Sequence, residues 1–135
     1  MVPHPPTTYR DLAESAWRWV QAQVREGEDG LWLPEHPGQE ARPDYPFGMH
    51  SGVGGLAHTL GDLRLVRPLT PAERGLADGI AETLRRRVPT ETEYDYFDGL
   101  VSTLGILIAL DAPGADAVVA RLVELATPDG WQPSF

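Results

Sequence analysis

The sequence predicts an all-α fold built from repeated pairs of helices, and three observations lead to this prediction. Apolar residues recur at steps of three and four in five segments, which is the spacing of one helix face. Two of these segments are led by glycine and are mostly uncharged, whereas the other three are amphipathic. One constant shift along the chain moves Gly52 onto Gly99, Leu60 onto Leu107 and Leu63 onto Leu110. Helical-pair arrays have sequence periods similar to the separation between Gly52 and Gly99.

The first amphipathic helix is predicted over residues 8–26, after a proline-rich, extended tail at 1–7. Thr8 and Asp11 form the sequence pattern of a capping box, and the glycine at 27 ends the helical spacing. Residues 27–50 contain four prolines and four glycines, so regular structure is not expected there. We interpret this segment as a long loop anchored by aromatic residues, namely Trp32, Tyr45 and Phe47.

The next two helices are predicted over 51–66 and 70–88. Glycines at the start of the first would destabilise an isolated helix by up to about 1 kcal/mol each, so another cause must account for them. They either permit close backbone approach of a neighbouring helix or leave amide groups open toward a cavity. Thr70 and Glu73 form the pattern of a second capping box. The three arginines at 85–87 are interpreted as a solvated helix end, where positive charge suits the helix dipole.

The last two helices are predicted over 97–110 and 114–126. The 97–110 helix repeats the glycine-led character of 51–66, and we expect both to be inner helices with the three amphipathic helices outside them. The tripeptide Asp29-Gly30-Leu31 follows the first amphipathic helix, and the similar Asp129-Gly130-Trp131 follows the last. A chain of 135 residues suits one domain, which we expect to span residues 1–135.

Composition excludes several classes of partner and site. The formal net charge of -9 argues against binding to nucleic acid or to an anionic membrane surface. No segment approaches the length of a membrane span, and the N-terminus lacks the pattern of a signal peptide, so a cytoplasmic protein is expected. The chain has no cysteine, and its histidines at 4, 36, 50 and 58 lack zinc-site spacing, so no metal or other cofactor is expected in this chain.

The strongest candidate for chemistry is the acidic segment at 91–98, which ends directly before a helix. Carboxylates there are stabilised by the helix dipole, so a purely structural role is one interpretation. The other is a carboxylate at the mouth of a cavity, beside an apolar wall, that takes part in proton transfer. Tyr94, Tyr96 and Phe97 are the residues available for such a wall.

The chain resembles the lanthionine synthetase C-like family, the cyclases of lanthipeptide biosynthesis and their relatives. That family repeats an S/D-G-x-x-G motif at each inner helix of an α/α toroid, and Ser51-Gly52-Val53-Gly54-Gly55 and Asp98-Gly99-Leu100-Val101-Ser102 resemble it. Ser102 stands where the family has glycine. The segment from Glu93 to Leu100 is similar to the family's Y-D-x-x-x-G-L element. The resemblance implies a partial toroid, since it covers the N-terminal part of the family domain only.

The family resemblance also implies a chemistry and a site. Family members add a cysteine thiol to a dehydrated serine or threonine in a peptide, with zinc lowering the pKa of the thiol. The aspartate of the Y-D element lines their active-site cavity in an acid/base or positioning role, and here it is Asp95. The residues expected at the substrate are Tyr94, Tyr96, Gly52, Gly55 and Gly99. The histidine and zinc ligands of the later family repeats have no counterpart in these 135 residues.

Two functions therefore follow as hypotheses. The first is a truncated or split cyclase, inactive alone, that requires a complementary chain or a longer precursor. The second is a non-catalytic helical-repeat module that binds a peptide or a partner protein on its concave surface. An open array edge exposes apolar residues, so self-association or pairing with a complementary half is also expected.

Overall fold

The computed structural model describes residues 8–132, and it is mostly helical. The five helices and two short strands are α1 (Tyr9–Gln21), β1 (Arg25–Gly27), β2 (Gly30–Trp32), α2 (Val53–Val66), α3 (Pro71–Arg87), α4 (Leu100–Ala109) and α5 (Ala115–Leu125). The predicted all-α class is thus confirmed at the level of helix content. The extended tail predicted at residues 1–7 lies outside the described residues.

The β1–β2 hairpin is the main departure from the predicted secondary structure. Helix α1 ends at Gln21 instead of residue 26, and Arg25–Gly27 then pairs antiparallel with Gly30–Trp32. Gly30 has a φ of +114°, and a side chain there would collide with Thr83 of α3. The amide of Leu31 donates to Thr83 Oγ1 at 3.0 Å. The prediction that 27–50 lacks regular structure is therefore wrong for its first residues, because a partner on α3 holds them.

Two of the three aromatic residues predicted to anchor the 27–50 segment do so. Trp32 and Phe47 are buried, whereas the Tyr45 side chain is 65% exposed. Phe47 packs with residues of α1, α2 and α3 in the larger apolar cluster. Tyr45 instead borders an open cleft, which is described below.

Both predicted capping boxes are present, and the one at α3 belongs to a larger polar cluster. Thr70 accepts from the Glu73 amide, and the Glu73 carboxylate accepts from the Thr70 amide at 2.8 Å. The same carboxylate is 2% exposed and accepts from Trp17 Nε1 and from the Arg67 guanidinium, both at 2.8 Å. Arg67 also pairs with Glu14 at 2.8 Å. This cluster attaches α1 to the start of α3.

The apolar core consists of two clusters, and each of them includes buried residues of both α3 and α4. Helix α2 packs against α3 and α4, and α4 also packs against α5. The buried residues of the first cluster are Trp17, Phe47, Val53, Leu56, Ala57, Leu60, Ile80, Leu84 and Ile106. Those of the second are Ala81, Val88, Leu100, Leu107 and Val118. The two glycine-led helices therefore lie side by side, with amphipathic helices against them.

The recurring Asp-Gly tripeptides correspond to turns of the same kind. In the hairpin, Gly27 pairs with Gly30, and after α5 an isolated antiparallel bridge joins Thr127 to Gly130. Gly130 has a φ of +90°, so the glycine after the aspartate adopts a positive φ in both turns. This is a conformation that glycine adopts at no steric cost.

Candidate functional site

The site is built from two loops, residues 46–52 and 93–99, that precede α2 and α4. The amide of Val53 donates to the carbonyl of Pro46 at 3.1 Å, and the amide of Leu100 donates to the carbonyl of Glu93 at 2.9 Å. The shift that moves Gly52 onto Gly99 also moves one of these hydrogen bonds onto the other. The sequence repeat is thus a repeat of backbone geometry at the two helix starts.

The glycines at the two helix starts permit a close approach of each helix to its own loop. Gly52 and Gly99 are both N-cap residues with extended backbones, and neither has a side chain that could accept a capping hydrogen bond. A Cβ at Gly52 would lie 2.6 Å from the amide nitrogen of Phe47, and one at Gly99 would lie 2.6 Å from that of Asp95. Close backbone approach therefore accounts for these two glycines, but the approaching backbone belongs to the preceding loop and not, as expected, to a neighbouring helix.

The two loops are joined to each other by backbone and ring contacts. The Met49 amide donates to the carbonyl of Phe97 at 2.9 Å, and the His50 and Phe97 rings stack with centroids 4.9 Å apart. Gly48 lies against the Asp98 carboxylate, so closely that no side chain would fit between them. The second loop is therefore positioned by the first.

Asp95 organises the turn that leads into α4. Its Oδ1 accepts hydrogen bonds from the amides of Phe97 at 2.8 Å and Asp98 at 2.9 Å. Its backbone carbonyl accepts from the Ser102 amide at 3.3 Å. The residue is exposed, and within residues 8–132 its Oδ2 makes no hydrogen bond. The structural role is therefore present, and one carboxylate oxygen remains available to a ligand.

A cleft of about 530 Å³ opens beside this turn. Its lining is mainly acidic and consists of Asp44, Tyr45, Arg87, Glu91, Glu93, Asp95, Phe97 and Asp98. Five carboxylates thus face one guanidinium, and Tyr45 and Phe97 add ring surfaces that are at least half exposed. The arrangement suits a ligand that brings positive charge or hydrogen-bond donors together with some apolar surface.

Asp98 is the carboxyl of this cleft whose proton affinity is raised. Partial burial raises the pKa of Asp98, and the neighbouring charge of Asp95 raises it further, while His50 and Arg87 act in the opposite direction. Sequence reasoning singled out Asp95 and gave Asp98 no separate role. The Asp98-Gly99 pair at the helix start could have pointed to Asp98 as a site residue. The contact of its carboxylate with Gly48, however, involves a distant segment and cannot be read from the local sequence.

Arg87 is a further cleft residue that sequence reasoning placed elsewhere. Its guanidinium carbon lies 4.1 Å from the centroid of the Phe47 ring, and its side chain forms an ion pair with Glu91. Burial lowers the pKa of Arg87, and the Glu91 charge partly offsets this. The interpretation of 85–87 as a solvated helix end holds for Arg86, which is 58% exposed, but not for Arg85 and Arg87, which are 31% and 27% exposed.

None of the remaining residues expected at the substrate lines the cleft. Tyr96 is 56% exposed and packs edge-on against Phe97, whereas Tyr94 is partly buried. The Tyr94 hydroxyl and the Ser102 hydroxyl are both buried without a hydrogen-bond partner among the described residues. Gly52, Gly55 and Gly99 contact loop backbone and are not among the lining residues. Substrate contact by these five residues stays a prediction.

Between residues 8 and 132, no three histidine, aspartate or glutamate side chains are grouped so that they would hold a metal. In the same range, no helix combines the length and apolar character needed to cross a membrane.

Comparison with known proteins leaves the family resemblance as a hypothesis. Searches against family models, curated proteins and solved structures each gave no match. The class that the structure itself defines is a mostly helical protein with two glycine-led helix starts and an acidic cleft beside the second.

Proposed function

We propose that this chain is the N-terminal part of an α/α toroid of the lanthionine synthetase C-like kind, acting as a truncated or split cyclase domain. The observation that carries the proposal is the repeated helix start. Val53 donates to Pro46 and Leu100 donates to Glu93 in equivalent backbone hydrogen bonds, and the loop of the second copy carries Asp95 of the Y-D element, which lines the cleft.

The proposed chemistry requires a proton donor at the cleft. Addition of a cysteine thiolate to the β-carbon of a dehydrated residue forms the carbon–sulfur bond and moves an electron pair onto the adjacent enolate. Protonation of the α-carbon then completes the thioether. Asp95 has an Oδ2 without a hydrogen bond among residues 8–132, and partial burial raises the pKa of Asp98, so these two side chains are the candidate proton donors at the cleft. Residues 8–132 contain no group of three side chains that could hold a metal ion, so we assign them no step in thiol activation.

The test uses the full chain together with a second polypeptide that carries the zinc-bearing repeats of a family member. The probe is a synthetic peptide with one dehydroalanine and one cysteine, and loss of the free thiol measures cyclisation. Asp95→Asn should lower kcat by about 10²-fold or more, the usual contribution of a positioned general acid. Asparagine retains a side-chain oxygen that accepts from Phe97 and Asp98, so the turn and the helical circular dichroism should be preserved.

A matched control is Asp116→Asn on α5, an exposed aspartate outside the cleft. It should leave cyclisation unchanged. If Asp95→Asn cyclises the probe at the rate and with the products of the unaltered protein, Asp95 has no catalytic role. If the complemented chain does not cyclise the probe at all, the cyclase proposal itself is refuted.

A peptide-binding module without catalysis is the second candidate. The cleft favours it because two of its lining rings, those of Tyr45 and Phe97, are at least half exposed beside a set of carboxylates. Such rings are common anchors in peptide recognition. Saturable binding of the fluorescently labelled probe to the isolated chain, without thiol loss in the complemented one, would favour the module over the cyclase.

A further inference from the structure

A second cavity, which we call the arginine pocket, lies between the turn of the β1–β2 hairpin, the loop before α2 and the end of α3. Its volume is about 300 Å³, and its charged lining residues are Glu28, Asp29, Arg42, Arg86 and Arg87. Three cations and two anions leave this lining with one positive charge, in a chain whose formal net charge is -9. The local excess of positive charge contrasts with the acidic cleft and suits an anionic group.

Two of these arginines are held in place by the same aromatic ring. The guanidinium carbons of Arg42 and Arg87 lie 5.7 Å and 4.1 Å from the centroid of the buried Phe47 ring. Stacking on a ring positions a guanidinium without occupying its N–H donors. The two cations also repel each other, since the charge of Arg42 adds to the effect of burial in lowering the pKa of Arg87. An anion bound beside both guanidiniums would offset this repulsion.

The ion pairs that the outer two arginines form within the chain are weak enough to be exchanged for a ligand. Arg42 pairs with Asp29 at 2.6 Å, and Arg86 pairs with Glu82 at 3.3 Å. All four side chains are exposed, and exposed pairs contribute about 0 to 1 kcal/mol. A guanidinium also has five N–H donors, so it can bind a second acceptor beside the first. Asp29, which itself lines the pocket, is therefore an internal competitor for Arg42.

The arginine pocket continues into the acidic cleft through a smaller cavity of about 90 Å³. This cavity shares Arg42 and Phe47 with the arginine pocket. It shares Asp44 and Asp98 with the acidic cleft, and Arg87 lines all three cavities. One extended ligand can therefore place a basic group in the acidic cleft and an acidic group in the arginine pocket. A peptide segment with residues of both charges has this chemistry.

We propose that the arginine pocket binds the carboxylate of an acidic residue in a peptide whose basic residue lies in the acidic cleft. The inference rests on the peptide ligand of the proposed function, but it does not require the cyclase chemistry. A carboxylate suits the pocket better than a phosphate because its single charge balances the single net charge of the lining. A phosphoserine carries nearly two negative charges, and the excess would be repelled by Glu28 and Asp29.

The test measures the binding of labelled peptides to the full chain alone, by fluorescence anisotropy. Each peptide contains one lysine near its N-terminus in a sequence of alanine and serine, and one glutamate occupies each later position in turn. Matched peptides carry glutamine in place of the glutamate. At the best position, the glutamate peptide should bind about fivefold more tightly than its glutamine match, and this preference should fall as the salt concentration rises. A phosphoserine peptide should bind less tightly than the glutamate peptide.

Substitutions in the pocket should change this preference in opposite directions. Arg42→Gln and Arg86→Gln should each reduce the preference for glutamate, and the double variant should abolish it. Asp29→Asn should tighten binding of the glutamate peptide by about twofold or more, because it removes the internal partner of Arg42. The matched controls are Arg74→Gln, about 18 Å from Arg86 along α3, and Asp116→Asn on α5. Both controls lie outside the pocket lining and should leave the preference unchanged.

Three results would overturn the proposal. They are a set of glutamate peptides of which none binds more tightly than its glutamine match, a phosphoserine peptide that binds more tightly than the glutamate peptide, and a glutamate preference that persists in the double arginine variant. Circular dichroism and thermal unfolding show whether each variant is folded. The outcome is separable from that of the cyclase test. Cyclisation without a glutamate preference refutes the arginine pocket alone, whereas a glutamate preference without cyclisation refutes only the cyclase.

Discussion

Replacing Glu73 by glutamine should remove one of the larger single contributions to the stability of this fold. Glu73 is 2% exposed, and Arg67, Trp17 and Thr70 all donate to its carboxylate. These contacts, led by the hydrogen bonds from Arg67, lower the pKa of Glu73 from 4.5 to about 2. Each pH unit between the folded and unfolded pKa values contributes about 1.4 kcal/mol at neutral pH, so the carboxylate contributes roughly 3 kcal/mol.

Because Arg67 is partly solvated, we expect Glu73→Gln to lower the free energy of unfolding at pH 7 by about 2 to 3 kcal/mol. The pH dependence gives a second measurement. A depressed carboxyl pKa stabilises the fold fully above pH 4.5, and this stabilisation is lost as the pH falls toward about 2. Urea unfolding followed by circular dichroism between pH 7 and pH 2 should therefore show a steep decline for the unaltered chain and a flatter one for Glu73→Gln.

Glu82→Gln is the control for this prediction. Glu82 also lies on α3 and pairs with two arginines, Arg85 at 3.2 Å and Arg86 at 3.3 Å, but its side chain is 51% exposed. Exposed pairs of this kind contribute about 0.5 kcal/mol or less. Equal losses of stability in the two variants, or an unchanged acid profile in Glu73→Gln, would refute the reasoning from burial and pairing.

Two further predictions concern positions where backbone packing is tight. Gly99→Ala should destabilise the chain by about 1 to 3 kcal/mol in urea unfolding, because the added Cβ would lie 2.6 Å from the Asp95 amide nitrogen. The control is Gly75→Ala on α3, which has open space around it and should be neutral or stabilising by up to about 1 kcal/mol. A greater loss of stability in Gly75→Ala than in Gly99→Ala would contradict the packing argument. Thr83→Val should lower the free energy of unfolding by about 1 to 3 kcal/mol, because it leaves the Leu31 amide without its acceptor. Hydrogen exchange at the Leu31 amide should accelerate in this variant. Unchanged exchange there would show that this hydrogen bond does not hold the hairpin.

The helices were predictable where the signal is local. The capping box and apolar spacing of α3 lie within one segment, and its predicted limits of 70 and 88 differ from Pro71–Arg87 by one residue at each end. The glycine-led helices were also found, since their pattern recurs along the chain. The hairpin was missed because its strands are three residues long and Thr83, the partner of Leu31, lies far along the sequence.

The candidate site was predictable only in part, because some of its side chains depend on contacts with residues that are distant in sequence. Asp95 stands in a short motif that can be read directly, whereas the environment of Asp98 depends on Gly48, and that of Arg87 on Phe47. These contacts join segments that are far apart in sequence and carry no local pattern. The direction of a pKa shift follows from burial and neighbouring charge, so it becomes visible only when the packing is known.

The hydrogen bond from the Met49 amide to the Phe97 carbonyl has a consequence for how the chain acquires its structure. The loop before the first glycine-led helix is completed by a carbonyl from the loop before the second. The two helix starts have the same local geometry, but the earlier loop cannot form this hydrogen bond while the later loop is still unfolded. Gain and loss of structure should be concerted across the two copies, so protection of the Met49 amide from solvent exchange reports on both.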